Sequence, residues 1–222
     1  MAGLLNFPLD KSQLSDRLMI ESNRRRLTGF QDISTSGAGD IIVADIAPRA
    51  WTGSVESTVM TFQQAAEVEA LINSLDESQN SFYLGDPRAP YPFYDPDGTI
   101  LNGMGGTIKI NDISSDNLRI QIKNAPVGFK FQRGVFFHFD FGTDPVHRAY
   151  HQIVSNQEVA DGFGVTDWIE VRPRIRNGAA VNDVLTFANP CVEVKIIPGS
   201  YREGVGQGMV VTGIGFDWRQ VI

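Results

Sequence analysis

Between Ala50 and Val59 the sequence alternates residue by residue, with Trp51, Gly53, Val55, Ser57 and Val59 on one side and Thr52, Ser54, Glu56 and Thr58 on the other. A period of two marks an extended chain whose side chains point to opposite faces in turn, so this stretch predicts a half-buried strand. Comparable runs bounded by Gly, Ser, Asp and Pro fill most of the chain. LSDRLMIES from Leu14, RRRLTGFQDIS and DIIVADIA precede it, and TIKIND, LRIQIKN, GVFFHFDFG, AYHQIVSN, WIEVRPRI and DVLTF follow it. With 14 Phe, 22 Gly and 11 Pro among 222 residues, strand formers and turn formers are both plentiful. The expected fold is mainly β.

One segment breaks the pattern. From Thr61 to Leu75, Ala65, Val68, Leu71, Ile72 and Leu75 recur at helical spacing, and Thr61 and Gln64 have the separation of a capping box. This predicts a single α-helix lying by its apolar stripe against a sheet. The stretch APYPFYDPDGT is dense in residues that remove backbone donors or relax steric limits, which places a domain junction near Arg88. The long strands resume at CVEVKII and run to the end, where they are expected to pair with the N-terminal sheet. Residues 1–88 and 188–222 therefore read as one discontinuous β-sandwich or barrel domain with a flanking helix, and residues 89–187 as a small inserted β-barrel.

The formal net charge of −7 argues against a surface that grips a phosphate backbone, because such binding rests on clustered Lys and Arg that release counterions. It suits a conduit that lets DNA pass without holding it. Cys191 is the only cysteine, so no intrachain disulfide is possible and folding in a reducing cytoplasm is expected. The opening MAGLLNFPLDKSQ predicts no signal peptide, and no segment approaches the roughly 20 apolar residues of a membrane span, so no membrane insertion is expected.

Chemistry-bearing clusters are few. His138, Asp140, His147 and His151 suggest a metal site, but no Glu stands beside His147 and the segment reads as strand, so core-edge or solvated histidines are expected. Gly204, Gly206 and Gly208 resemble a dinucleotide loop, yet the 14 residues after Gly208 leave no room for the helix and second strand that it needs; a hairpin is expected. Asp95 to Gly98 resembles the start of a calcium loop without its later ligands, which predicts a turn. Arg24, Arg25 and Arg26 would be split between the faces of a strand, at a solvated edge or against an acidic neighbour. There is no G-x-S-x-G elbow, and Cys191 follows Pro190 in an apolar strand. No catalytic residue, cofactor site or metal site is assigned.

Two blocks carry a family resemblance. The first, from Trp51 through the Leu-Gly-Asp-Pro turn, holds Trp51, Gly53, Leu84, Gly85, Asp86 and Pro87; the second holds Val171, Pro173, Arg174, Ile175, Arg176, Val184, Phe187 and Pro190. Together they resemble the distal tail and minor tail proteins of bacteriophages and gene-transfer particles. The resemblance implies a tail-tube-like β domain interrupted by an insert resembling an oligonucleotide- or oligosaccharide-binding barrel. It also implies a homohexameric ring at the tail tip, between the tail tube protein and the hub or baseplate proteins, with DNA passing through its lumen and no catalytic residues. On this reading the Thr61–Leu75 helix and the N-terminal strands lie near subunit contacts, and an acidic surface faces the lumen.

Two other functions compete. Tyr91, Phe93, Tyr94, Phe163 and Trp168 suggest a carbohydrate-binding module making weak glycan contacts during host attachment, since aromatic faces stack on sugars. Asp95, Asp97, Asp112, Asp116, Asp140, Asp144 and Asp161 offer carboxylates for a hydrolase, although Asp in turns is more often a turn former.

Overall fold

Inward-facing residues of the alternating segments build two separate hydrophobic cores in a computed structural model that describes residues 5–222. The chain is mainly β, with a curled half-barrel sheet and, among the described residues, two helices. In order the elements are β1 (Ile20–Thr35), β2 (Ile41–Ser57), β3 (Met60–Thr61), α1 (Phe62–Asn73), β4 (Phe82–Gly85), α2 (Thr99–Asn102), β5 (Lys109–Ile113), β6 (Arg119–Lys123), β7 (Lys130–Phe131), β8 (Phe136–Phe141), β9 (His147–Ile153), β10 (Glu158–Val159), β11 (Ile169–Arg172), β12 (Cys191–Ile196), β13 (Val205–Gln207), β14 (Val210–Thr212) and β15 (Gly215–Gln220).

The first core lies under a five-stranded sheet of order β1-β2-β15-β12-β4, in which the C-terminal strands sit between N-terminal ones. Trp51 and Val55 of β2, Phe82 of β4, Val194 of β12 and Phe216 and Trp218 of β15 are all buried there. Helix α1 covers them with Ala65, Val68 and Ile72. Its start is fixed by the capping box: the Thr61 hydroxyl accepts from the Gln64 N–H, and the Gln64 side chain accepts from the Thr61 N–H at 3.0 Å. The helix ends at Asn73, two residues short of Leu75, which is nevertheless buried as the chain turns.

The second core belongs to residues 108–187, under a five-stranded sheet of order β5-β6-β11-β9-β8. DVLTF is not a strand. Val184 and Thr186 instead bridge Lys109 on one edge strand and His138 on the other, so this segment closes the sheet by pairing with both edges in turn.

Three local expectations are corrected. Leu14 to Met19 is turn, not strand, because Leu14 and Leu18 both reach the first core from successive turns of the chain. RRRLTGFQDIS continues the preceding strand, and DIIVADIA and AWTGSVES form one 17-residue strand instead of two. Pro48 is accommodated within it because the ladder slips between Thr28 and Phe30, opposite the Pro, where a missing donor breaks no pairing. The alternation stops at Ser57: Val59 is exposed, and Met60 takes the inward place in a new strand.

Candidate functional site

The chemistry of this molecule is concentrated on three surfaces: a projecting ribbon, the seam between the two cores, and a cleft beside the ribbon's base.

The ribbon is the far half of β1 and β2. β15 pairs with β2 only from Thr52 to Glu56, so beyond that point the two strands have only each other. At its base the Arg219 guanidinium lies 4.3 Å from the centre of the Phe30 ring. Residues 31–46 are then exposed on both faces, apart from half-buried Ser36 at the turn. They include Ile33, Ile41, Ile42, Val43 and Ile46, and Ile41 and Ile46 are each 71% exposed. The same residues carry Asp32, Asp40 and Asp45 and no Lys or Arg. A two-stranded ribbon gains little stability by itself, and water disfavours so many bare aliphatic side chains.

At the seam, β1 and β2 meet β8 and β9. Arg25 pairs with Asp86 at 2.9 Å, donates to the Tyr150 hydroxyl at 2.9 Å and lies 3.9 Å over the Phe136 ring. Arg88 grips the same Asp86 and reaches the Asn23 carbonyl. Burial alone would raise the Asp86 carboxyl, but hydrogen bonds from Arg88 and the charge of Arg25 carry it below the ordinary carboxylate range. The Trp51 indole N–H donates to the Tyr150 carbonyl at 3.0 Å, and Tyr150 stacks on Phe136. On the other side of the seam, Arg148 holds Asp140 through two bonds of 2.7 Å, donates to the Cys191 sulfur and lies over Tyr83. Burial pushes the Cys191 thiol up, away from reactive thiolate.

The cleft, of about 900 Å³, runs between the ribbon's base at Asp45–Arg49 and the segment Arg172–Asn177. Four arginines line it: Arg49, Arg172, Arg174 and Arg176. Arg172 is held by Glu170 and Arg174 donates to the Asp116 carbonyl. Arg176 is different. It is half-buried, burial lowers its pKa, and its Nη2 is buried without a hydrogen-bond partner among the described residues.

The sequence-predicted sites separate in space. His147 and His151 lie four apart on a strand, roughly 13 Å along it, too far to share an ion. His151 is buried, with its Nδ1 on the Pro173 carbonyl, and stacks against Phe137 and Phe139; the His138 Nδ1 accepts the Cys191 N–H. No group of three or more His, Cys, Asp or Glu is gathered for a metal among the described residues. Asp95 accepts from the Ile100 and Leu101 N–H groups at the start of α2, and Asp112, Asp116 and Asp161 accept from nearby backbone amides. Asp97 and Asp144 are exposed. Gly206 and Gly208 belong to the β13–β14 hairpin, which pairs with β3, and Gly204 immediately precedes it. Arg24 and Arg26 face solvent while Arg25 turns into the seam.

The aromatic residues do not form one platform. Tyr91 and Phe93 line a cavity of only about 20 Å³, Tyr94 packs edge-on against Phe129, and Trp168 lies under Arg119. Phe163 is 89% exposed on its loop. Among the described residues, no helix is long and apolar enough to cross a membrane.

No protein-family model matches the chain, and no curated protein matches it. Sequence reasoning missed the ribbon, the seam network and the cleft. The only local signal for the ribbon was the run Ile41, Ile42, Val43, which is apolar on both faces of a strand and reads as buried.

Proposed function

We propose that this chain is a non-catalytic structural subunit of a phage-type tail tip, of the distal tail kind, which assembles through its ribbon into a ring. The single observation that carries this reading is the projecting ribbon, with five large exposed aliphatic residues that belong to neither hydrophobic core of the described residues. A ribbon donated to a different surface of the next copy is a heterologous contact, and such contacts close into rings when the rotation allows. Phe62 and Met209, 71% and 87% exposed where α1 meets the β13–β14 hairpin, form a second apolar patch on the subunit. The two blocks that resemble distal tail proteins supply the rest: a homohexamer joining the tail tube to hub or baseplate proteins, a virion location, and a lumen for DNA. The charge of −7 suits such a lumen.

Light scattering on the purified full chain over a range of concentrations tests the reading. A discrete closed oligomer is expected, and replacement of residues 31–46 by a short turn should leave a folded monomer. A wild-type chain that stays monomeric at every concentration, with no ring of it in particles, would overturn the proposal.

A further inference from the structure

The ribbon needs a seat, and two surfaces of the subunit are candidates. The Phe62 and Met209 patch is apolar, but α1, which begins at Phe62, carries Glu67 and Glu69 and no Lys or Arg. A ribbon that carries Asp32, Asp40 and Asp45 with no cation would bring like charges together there. The cleft beside the ribbon's base has the opposite character. Arg49, Arg172, Arg174 and Arg176 line it and outnumber its two carboxylates, Asp45 and Asp116, with Leu118 and Ile175 as apolar wall. Arg176 holds a half-buried charge there with no carboxylate paired to it and a buried Nη2 that meets no acceptor among the described residues. A desolvated guanidinium of that kind is costly until an anion reaches it.

The end of the ribbon fits such a cleft. Its turn is built from Ser36, Gly37, Ala38 and Gly39, all small, and is closed by Asp40, whose N–H donates to the Ser36 hydroxyl. Asp32 and Asp45 flank the aliphatic stretch behind it.

Resting on the ring reading above, we infer that the acidic ribbon of one copy docks in the arginine cleft of the next copy, with the tip carboxylate of Asp40 directed to Arg176. The ribbon cannot occupy the cleft of its own chain. Its base, Asp45–Arg49, already forms one wall, and from Asp45 to Ile41 the ladder runs without a further register shift, carrying the turn beyond Ile41 roughly 13 Å or more away from that wall. The occupant is therefore a second copy. Because the ribbon and the cleft are different surfaces, each copy gives one and receives one, which is the arrangement that closes a ring.

Two charge-reversed full-length variants test this by light scattering. One carries Asp32→Lys and Asp40→Lys on the ribbon, where no core contact is touched; the other carries Arg49→Glu and Arg174→Glu, both at exposed positions. Each alone should raise the concentration needed for assembly at least about tenfold. Mixed in equal amounts they should assemble again, since the reversed ribbon meets the reversed cleft at one junction and the native pair meets at the next. A wild-type oligomer that survives both reversals, or a mixture that fails to recover although both variants are folded by circular dichroism, overturns the ribbon-in-cleft contact while leaving the ring reading standing. A wild-type chain that never assembles overturns both.

Discussion

The indole N–H of Trp51, on a strand of the first core, donates at 3.0 Å to the main-chain carbonyl of Tyr150, on a strand that faces the second. Both residues are buried, so that carbonyl has no water to fall back on. Trp51→Phe keeps an aromatic ring but removes the donor together with part of the indole's buried volume. It should lower unfolding stability by about 1–3 kcal/mol in urea titration. Tyr150→Phe should cost less, because Arg25 keeps Asp86 when the hydroxyl is gone.

Asp86 is the stronger point of the same seam. Its side chain is 5% exposed and receives both Arg25 and Arg88. Asp86→Ala leaves Arg25 half-desolvated without its anion, and should cost about 3–5 kcal/mol. Exchanging both partners for apolar residues, Arg25→Met with Asp86→Leu, should restore a substantial part of that loss. A double variant no more stable than Asp86→Ala would mean that the ion pair is not what Asp86 contributes.

Two buried imidazoles set an acid limit. Burial pushes His138 and His151 down to about 4, so both are neutral in the fold, whereas in the unfolded chain they titrate near 6.5. Between those values the unfolded chain binds protons that the native chain does not, and stability therefore falls as pH drops from about 6.5 towards 4 and is fully present above 6.5. Each contributes on the order of 3 kcal/mol across that window. His151→Gln should flatten the denaturation midpoint against pH over this range; an unchanged slope would remove His151 from the account.

Gly53 tests close packing within the first sheet. A Cβ at this position would lie 1.9 Å from the Arg24 carbonyl oxygen and 2.8 Å from the Trp218 ring, and the first of these is backbone that cannot swing aside. Gly53→Ala should destabilise by about 1–3 kcal/mol or more, in contrast to the mild gain Ala gives at an unhindered strand position. Thermal melting of the variant beside Gly37→Ala, where a Cβ meets open space, checks it.

What could be read in the sequence was local. The capping box at Thr61 and Gln64 and the stripe Ala65, Val68 and Ile72 located α1 because their contacts lie within one or two turns. Alternation found β5, β6, β8, β9 and β11 for the same reason. The closing segment around Val184 was misread as a strand because its partners, Lys109 and His138, lie on opposite edges and no ladder runs along it. The seam was not legible at all: Arg25 meets Tyr150 across 125 residues of sequence, and nothing near either one announces the other. The ribbon failed in an instructive way. Ile41, Ile42 and Val43 have the composition of a buried strand, and one chain leaves them bare.

That conflict between composition and exposure gives the most direct mutational prediction. Ile33, Ile41, Ile42 and Ile46 are largely exposed and belong to neither hydrophobic core of the described residues, so removing their aliphatic groups takes little from the folded monomer. Ile33→Ser with Ile42→Ser should leave its stability within about 0.5 kcal/mol, as for surface substitutions elsewhere. Burial of such side chains at an interface would instead be worth roughly 1.5–3 kcal/mol each, so the same pair should weaken assembly by two orders of magnitude or more. Urea titration and light scattering on the same preparation separate the two effects. Loss of monomer stability would show that the ribbon packs on its own body in solution, and unimpaired assembly would show that its aliphatic face is not part of the contact.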